Sequence, residues 1–215
     1  MIIYNSLNSE KNFDLVVASK DIPPPTRKEI TETVPYMSGE WDFSFDENGE
    51  DEYEPVTLKY EFDVIAETKQ ELNATKKKLL LWVYSDVDKR LFDSDFPLSE
   101  YWEVYRARAS WSEDWLQGLL TVEFVCYPFR KTEMQKIHVT LSETEQSISV
   151  YNDGYRSIMP VIEVSNKANL NFENKTYALG AGTYNGGVIT LKRGSNVIKA
   201  KGSGELTLGV WEETF

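Results

Sequence analysis

Hydrophobic and polar residues alternate without a fault from Val56 to Val64. Val56, Leu58, Tyr60, Phe62 and Val64 point one way and the polar residues between them the other, which is the period of a half-buried strand. Trp41, Phe43 and Phe45 alternate with Asp42 and Ser44 in the same way, and the acidic stretch between the two runs contains Asn48-Gly49. Together the runs predict a long antiparallel hairpin over residues 41–64. Residues 67–84 follow a helical period instead. Leu72, Thr75, Leu79 and Trp82 or Val83 recur on one side while Lys69, Glu71, Lys76 and Lys77 fill the other. The end of this segment, 80–84, also reads as the start of a strand. Further strands are expected over 101–110 and 119–127. In the latter Leu120, Val122, Phe124 and Cys126 share one face, and Pro128 interrupts pairing.

From Met134 onward the chain becomes rich in Gly, Asn and Thr, and its apolar runs shorten. Short strands are predicted over 136–141, 147–151, 161–165, 170–172, 188–191, 197–200 and 205–211. Turns are expected at Asn152-Asp153-Gly154, Asn185-Gly186-Gly187, Arg193-Gly194-Ser195 and Gly202-Ser203-Gly204. Leu206, Leu208 and Val210 face inward in the last strand. This spacing is that of an all-β sandwich. The expected fold class is therefore mainly β with one helix. An N-terminal barrel-like, mixed β domain spans 1–133 and a C-terminal antiparallel sandwich spans 134–215, with the boundary near 131–135.

Composition narrows the function classes. The formal net charge of −12 argues against a nucleic-acid partner, because phosphate neutralisation needs clustered Lys and Arg. The basic cluster Lys76-Lys77-Lys78 reads as the solvated face of the helix. One cysteine, Cys126, and one histidine, His138, cannot make a structural zinc site or an internal disulfide. Cys126 is expected to be buried and His138 to face solvent on a strand. The opening MIIYNSLNSEKNFDL lacks a basic region followed by an apolar run, so no secretory signal is expected, and no apolar stretch is long enough to suggest membrane insertion.

Candidate chemistry is thin. A nucleophile assisted by histidine would have to use His138, and there is no Gly-x-Ser-x-Gly elbow, phosphate-binding loop or dinucleotide fingerprint. With 35 acidic residues some carboxylate pair will always look suitable for glycoside hydrolysis, so such a pair carries little information. Asp86, Asp88, Asp93 and Asp95 cluster around a predicted turn and read as turn formers. The run from Asp46 to Asp51 lacks the ligand spacing of a calcium loop and reads as a solvated hairpin tip. No cofactor, metal or catalytic residue is expected. The aromatic residues are more informative. Trp102, Trp111 and Trp115 fall close together with Tyr101 and Tyr105 beside them, and their spacing cannot place all of them on one face. Exposed Trp and Tyr suit a protein interface or a sugar-stacking platform. Trp41, Phe43, Tyr53, Tyr60, Trp102, Trp111 and Trp115 are the candidate contact residues.

Three passages carry a resemblance. Val34-Pro35-Tyr36-Met37-Ser38-Gly39 with Asp42 precedes the first predicted hairpin. Leu91-Phe92-Asp93 and Tyr101-Trp102 lead to the long strand ending Cys126-Tyr127-Pro128-Phe129. Arg193-Gly194-Ser195-Asn196-Val197-Ile198 is followed by Gly202-Ser203-Gly204-Glu205-Leu206. In this order the passages resemble the distal tail protein family of long-tailed, non-contractile phages (siphophages), over nearly the whole chain. Tyr36 departs from the family pattern, standing where a glycine is common. The resemblance implies a structural protein of the virion tail tip, assembled in the host cytoplasm. It implies an N-terminal domain that forms a hexameric ring and a galectin-like C-terminal sandwich. The implied partners are further copies of the chain, the tail tube protein and the tail-tip hub; a host-surface saccharide is not favoured as a direct partner, because the short loops of the sandwich leave no room for an inserted carbohydrate-binding module. No catalytic residue is carried over. A non-catalytic carbohydrate-binding module is the alternative reading. On the ring reading the hairpin over 41–64, with its acidic tip from Asp46 to Glu54, is the expected arm for contacts between subunits; the alternative is a hairpin folded back on its own domain with a solvated tip.

Overall fold

The computed structural model describes residues 1–36, 38–46 and 49–215. Its chain divides into two compact units, Met1–Arg130 with Phe215, and Lys131–Thr214.

The first unit contains β1 (Ile2–Tyr4), β2 (Leu7–Asn8), the short helix α1 (Ser9–Phe13) and β3 (Val17–Asp21). Then come β4 (Thr31–Glu32), β5 (Trp41–Asp42), β6 (Val56–Ile65), the helix α2 (Lys69–Tyr84), β7 (Arg90–Asp93), β8 (Glu100–Asp114) and β9 (Gln117–Thr132), whose last residues pass the division. The main sheet has the order β2-β1-β7-β8-β9-β6-β3. It is curled. Lys20 on the edge strand β3 reaches Asp93 at the end of β7, four places away across the sheet, at 3.2 Å. The result is a half-barrel. Its hollow is filled by the stripe of β6, by Leu120, Val122, Phe124 and Cys126 of β9, and by Leu72, Leu79, Trp82 and Val83 of α2.

β6 alternates in burial as its sequence predicts, but its partners are β9, from Val56↔Cys126 to Ile65↔Gln117, and β3. The hairpin expected over 41–64 is therefore corrected. Trp41 and Asp42 pair with Glu32 and Thr31, and Phe45 bridges Asp51. Alternation shows that a run has an apolar face; it does not choose the partner, and here β6 is claimed by a much longer strand. The Asn48 turn lies outside the described residues, as does Met37. α2 begins at Thr68, whose side chain accepts from the Glu71 backbone N–H, while Glu71 reaches back to the N–H of Glu67. This is close to a capping box. The helix continues to Tyr84, so the strand start read over 80–84 is also corrected: Trp82 and Val83 are buried at helical spacing with Leu72 and Leu79.

The second unit contains β10 (Gln135–Leu141), β11 (Gln146–Asn152), β12 (Val161–Val164), β13 (Lys167–Phe172), β14 (Lys175–Leu179), β15 (Gly182–Asn185), β16 (Gly194–Val210) and β17 (Glu213–Thr214). β16 organises it. Its first part pairs with β11 and β13, and its last part with β10 and β12. One strand thus serves two sheets, with β14 and β15 at their edges, and Ile148, Leu170, Ile198 and Ala200 meet Ile162, Val164, Leu206 and Leu208 in one core. This is an antiparallel sandwich whose corner is turned within a strand. The corner falls at Gly202-Ser203-Gly204, where Gly202 and Gly204 have φ of +152° and +89°. The expected chain reversal there is a bend instead. A Cβ on Gly202 would strike the Lys167 carbonyl, so close approach as well as dihedral angle selects glycine. The segment 188–191 is not a strand; it makes a single bridge, Leu191 to Ile158.

Candidate assembly surface

The described residues between Thr26 and Glu54 form a small arm built from short ladders. The Lys28 N–H donates to the Glu52 carbonyl at 2.8 Å, Glu54 N–H to Thr26 at 2.9 Å, Phe43 N–H to Ile30 at 2.7 Å and Glu52 N–H to Ser44 at 2.9 Å. Ser44 is buried and its hydroxyl accepts from the Ile30 N–H at 2.8 Å. Arg27 pins the arm together, pairing with Asp42 and Asp51, each at 2.9 Å, and lying over the Phe45 ring at 5.0 Å. Hydrogen bonds from Ser44, and then the Arg27 charge, hold the Asp42 carboxyl below its ordinary range.

The register places Ile30 opposite Phe43 and Glu32 opposite Trp41, so Ile30, Trp41 and Phe43 share one face. The Trp41 and Phe43 rings stack with centroids 6.3 Å apart. Trp41 is 51% exposed, Phe43 52% and Ile30 42%. Tyr36, in the bend between the two strands, is fully exposed at φ +70°. A left-handed residue there is what a glycine would adopt without strain, which gives the Tyr36 departure a physical meaning.

The other candidates are spread over the first unit. Tyr53 is half-buried and packs edge-on against Phe129 and Phe215. Tyr60 and Trp102 are taken up by the core. Tyr60 donates to Asp93 at 3.0 Å, and burial together with that carboxylate pushes its phenol well above the ordinary tyrosine value. Trp102 meets Phe96 edge-on. Trp111 lies over Gly118, where a side chain would collide with its ring; Lys76 sits over the same ring at 5.4 Å and Glu113 accepts from its Nε1. Trp115 stands at the turn between β8 and β9, 83% exposed and at φ +53°. Of the candidates, Trp41 and Phe43 stay exposed side by side, and Trp115 is exposed elsewhere on the unit. Ile30 shares the exposed face of Trp41 and Phe43 although no periodicity in its own stretch points to it. Phe45, part of the same alternating run, is also half-exposed.

The acidic turn is structural. Asp93 is buried and accepts from Tyr60, Lys20 and the Asp95 N–H, while Asp95 pairs with Lys20. The bidentate hydrogen bond from Arg90 holds the Asp88 carboxyl low. Cys126 is a buried free thiol, its pKa raised by burial, and His138 is exposed on β10 with Nδ1 3.0 Å from the Thr207 hydroxyl. Among the described residues, no group of His, Cys, Asp or Glu is placed to hold a metal ion, and no helix is long and apolar enough to cross a membrane.

These features define a mainly β protein of two units, one a curled half-barrel backed by a helix and the other a sandwich. Four chains of solved structures match it. One is the SPP1 Dit (gp 19.1) protein, a paradigm of the hub adsorption apparatus in phages that infect Gram-positive bacteria. It matches with a TM-score of 0.67 at 15% identity over 98% of each chain. At that identity the likeness establishes a shared fold. No family model and no curated protein matches the sequence.

Proposed function

We propose that this chain is a structural component of a phage tail tip, a ring-forming hub that joins the tail tube to the rest of the adsorption apparatus. The observation that carries the reading is the fold match to a hub adsorption protein across both units and nearly the whole of each chain. The order of the three sequence passages agrees with this reading. In this reading the first unit forms a hexameric ring around the tail channel. Its two faces meet the tail tube protein and the tail-tip hub. The exposed Ile30, Trp41 and Phe43 supply apolar surface of the kind that subunit contacts bury. Light scattering on the purified chain over a wide concentration range tests the proposal. Growth of the mass to a fixed multiple of the 24.8 kDa chain supports a closed ring. A chain that stays monomeric at every concentration, alone and with a tail tube protein, counts against it, and specific binding of a glycan by that monomer would favour a carbohydrate-binding module.

A further inference from the structure

The charge of this chain is not spread evenly. Residues 26–54 hold ten acidic residues against Arg27 and Lys28, a net −8 out of the chain's −12. Arg27 and Lys28 are already engaged, with Asp42, Asp51 and Glu52. Glu29, Glu32 and Glu40 are exposed and have no ion-pair partner among the described residues. Glu32 stands opposite Trp41 in the ladder and Glu40 precedes it, so the aromatic face is edged by uncompensated negative charge.

Helix α2 is the opposite case. It carries Lys69, Lys76, Lys77 and Lys78 against Glu71 alone, a net +3. Lys69 and Lys76 turn towards Glu113 of β8. Lys77 and Lys78 point to solvent and have no ion-pair partner among the described residues. One helical turn on, Leu81 is 63% exposed, followed on the same side by Tyr84 at 59%. Two lysines with a leucine and a tyrosine ring form a face that is both apolar and cationic and lies outside the core, the tyrosine hydroxyl being held by the Ala109 N–H of β8 at 3.0 Å.

We infer that the aromatic face of the arm in one copy docks on the outer face of α2 in a second copy. The inference rests on the proposed self-assembly and names its two surfaces. Trp41 and Phe43 would cover Leu81 and Tyr84, while Glu32 and Glu40 would meet Lys77 and Lys78. Complementarity of charge and of apolar surface exists within one sequence, so no other protein has to supply it. The two surfaces differ, so each docked copy still offers a free arm and a free helix. Such heterologous contacts propagate until they close a ring.

Charge reversal with rescue tests this on the full chain. The helix variant Lys77→Glu with Lys78→Glu, and the arm variant Glu32→Lys with Glu40→Lys, should each weaken self-association by about tenfold or more in sedimentation equilibrium. The variant carrying all four changes should recover to within about threefold of the original chain. Because all four positions are exposed, circular dichroism should be unchanged. A second readout uses a zero-length carbodiimide on a mixture of isotope-labelled and unlabelled chain. Cross-links from Lys77 or Lys78 to Glu32 or Glu40 should join labelled to unlabelled copies. If the original chain assembles but the helix variant assembles equally well, or if those links form only within a copy, the docking is wrong and the ring reading stands. If the original chain never assembles, both fall.

Discussion

Removing the charge of Asp93 while keeping its shape gives a direct measure of what closes the half-barrel. Asp93 is 2% exposed and gathers three donors: the Tyr60 hydroxyl at 3.0 Å, the Lys20 ammonium at 3.2 Å and the Asp95 N–H at 3.0 Å. In Asp93→Asn the amide oxygen can keep one or two of these, but its NH2 group must then face a donor. Hydrogen bonds to a charged group contribute about 1.5–3 kcal/mol each, and removing one partner of a buried pair costs about 3–5 kcal/mol. Lys20 is part-exposed and keeps Asp95, which places the expected loss at the lower end, about 2–3 kcal/mol. Tyr60→Phe, which removes one hydrogen bond to the carboxylate, should cost about 1.5–3 kcal/mol, and the two changes together less than their sum, because each removes the same bond. The assay is urea unfolding followed by tryptophan fluorescence. Trp41, Trp82, Trp102, Trp111 and Trp115 lie in the first unit and only Trp211 in the second, so the signal reports mainly on the half-barrel. A loss below about 0.5 kcal/mol for Asp93→Asn, or strict additivity with Tyr60→Phe, would show that this carboxylate does not tie the curled sheet together.

Gly202→Ala should destabilise the sandwich by about 2 kcal/mol or more, since the new methyl meets the Lys167 carbonyl at a φ that L-residues avoid; calorimetry showing an unchanged transition would refute the corner argument. Cys126 should resist a thiol reagent at neutral pH until the chain unfolds, because burial both shields the thiol and raises its pKa; rapid labelling of the folded chain would contradict this. Acid should also weaken the fold. Arg90 holds Asp88 low, and Lys59 with Ser19 holds Glu61 low, so the folded state binds their protons less tightly than the unfolded chain. Stability from these groups is complete above the ordinary carboxylate pKa of about 4 and is lost as pH falls through the depressed values. A urea midpoint that does not fall between pH 5 and pH 3 would contradict the sign.

Much of the framework was legible because it is repetitive. The stripe Val56, Leu58, Tyr60, Phe62 and Val64 specifies a strand with one buried face, and the α2 pattern specifies a helix with one buried side. Tyr60 sits in the middle of that stripe, which was itself a signal for core and not for surface. What periodicity could not deliver was partnership. Trp41, Phe43 and Phe45 alternate as cleanly as β6, yet their face is exposed and their ladder runs to Thr31–Glu32. An alternating run looks the same whether its apolar face is covered by its own chain or by another. β14 and β15 leave little trace in the sequence because Lys175–Leu179 and Gly182–Asn185 are short edge strands with little apolar alternation. Gly202-Ser203-Gly204 looked like a reversal because the residues that permit a tight turn also permit a strand to bend between sheets. The arm and helix faces were visible only as an acidic run and a lysine cluster until the fold showed what was exposed beside them.

Electron microscopy of the concentrated, purified chain is the most direct measurement. The account predicts closed rings of identical subunits with an open centre, in which the helix-bearing half-barrels touch one another. Fields of isolated single-chain particles, unchanged at high protein concentration and after addition of a tail tube protein, would contradict it.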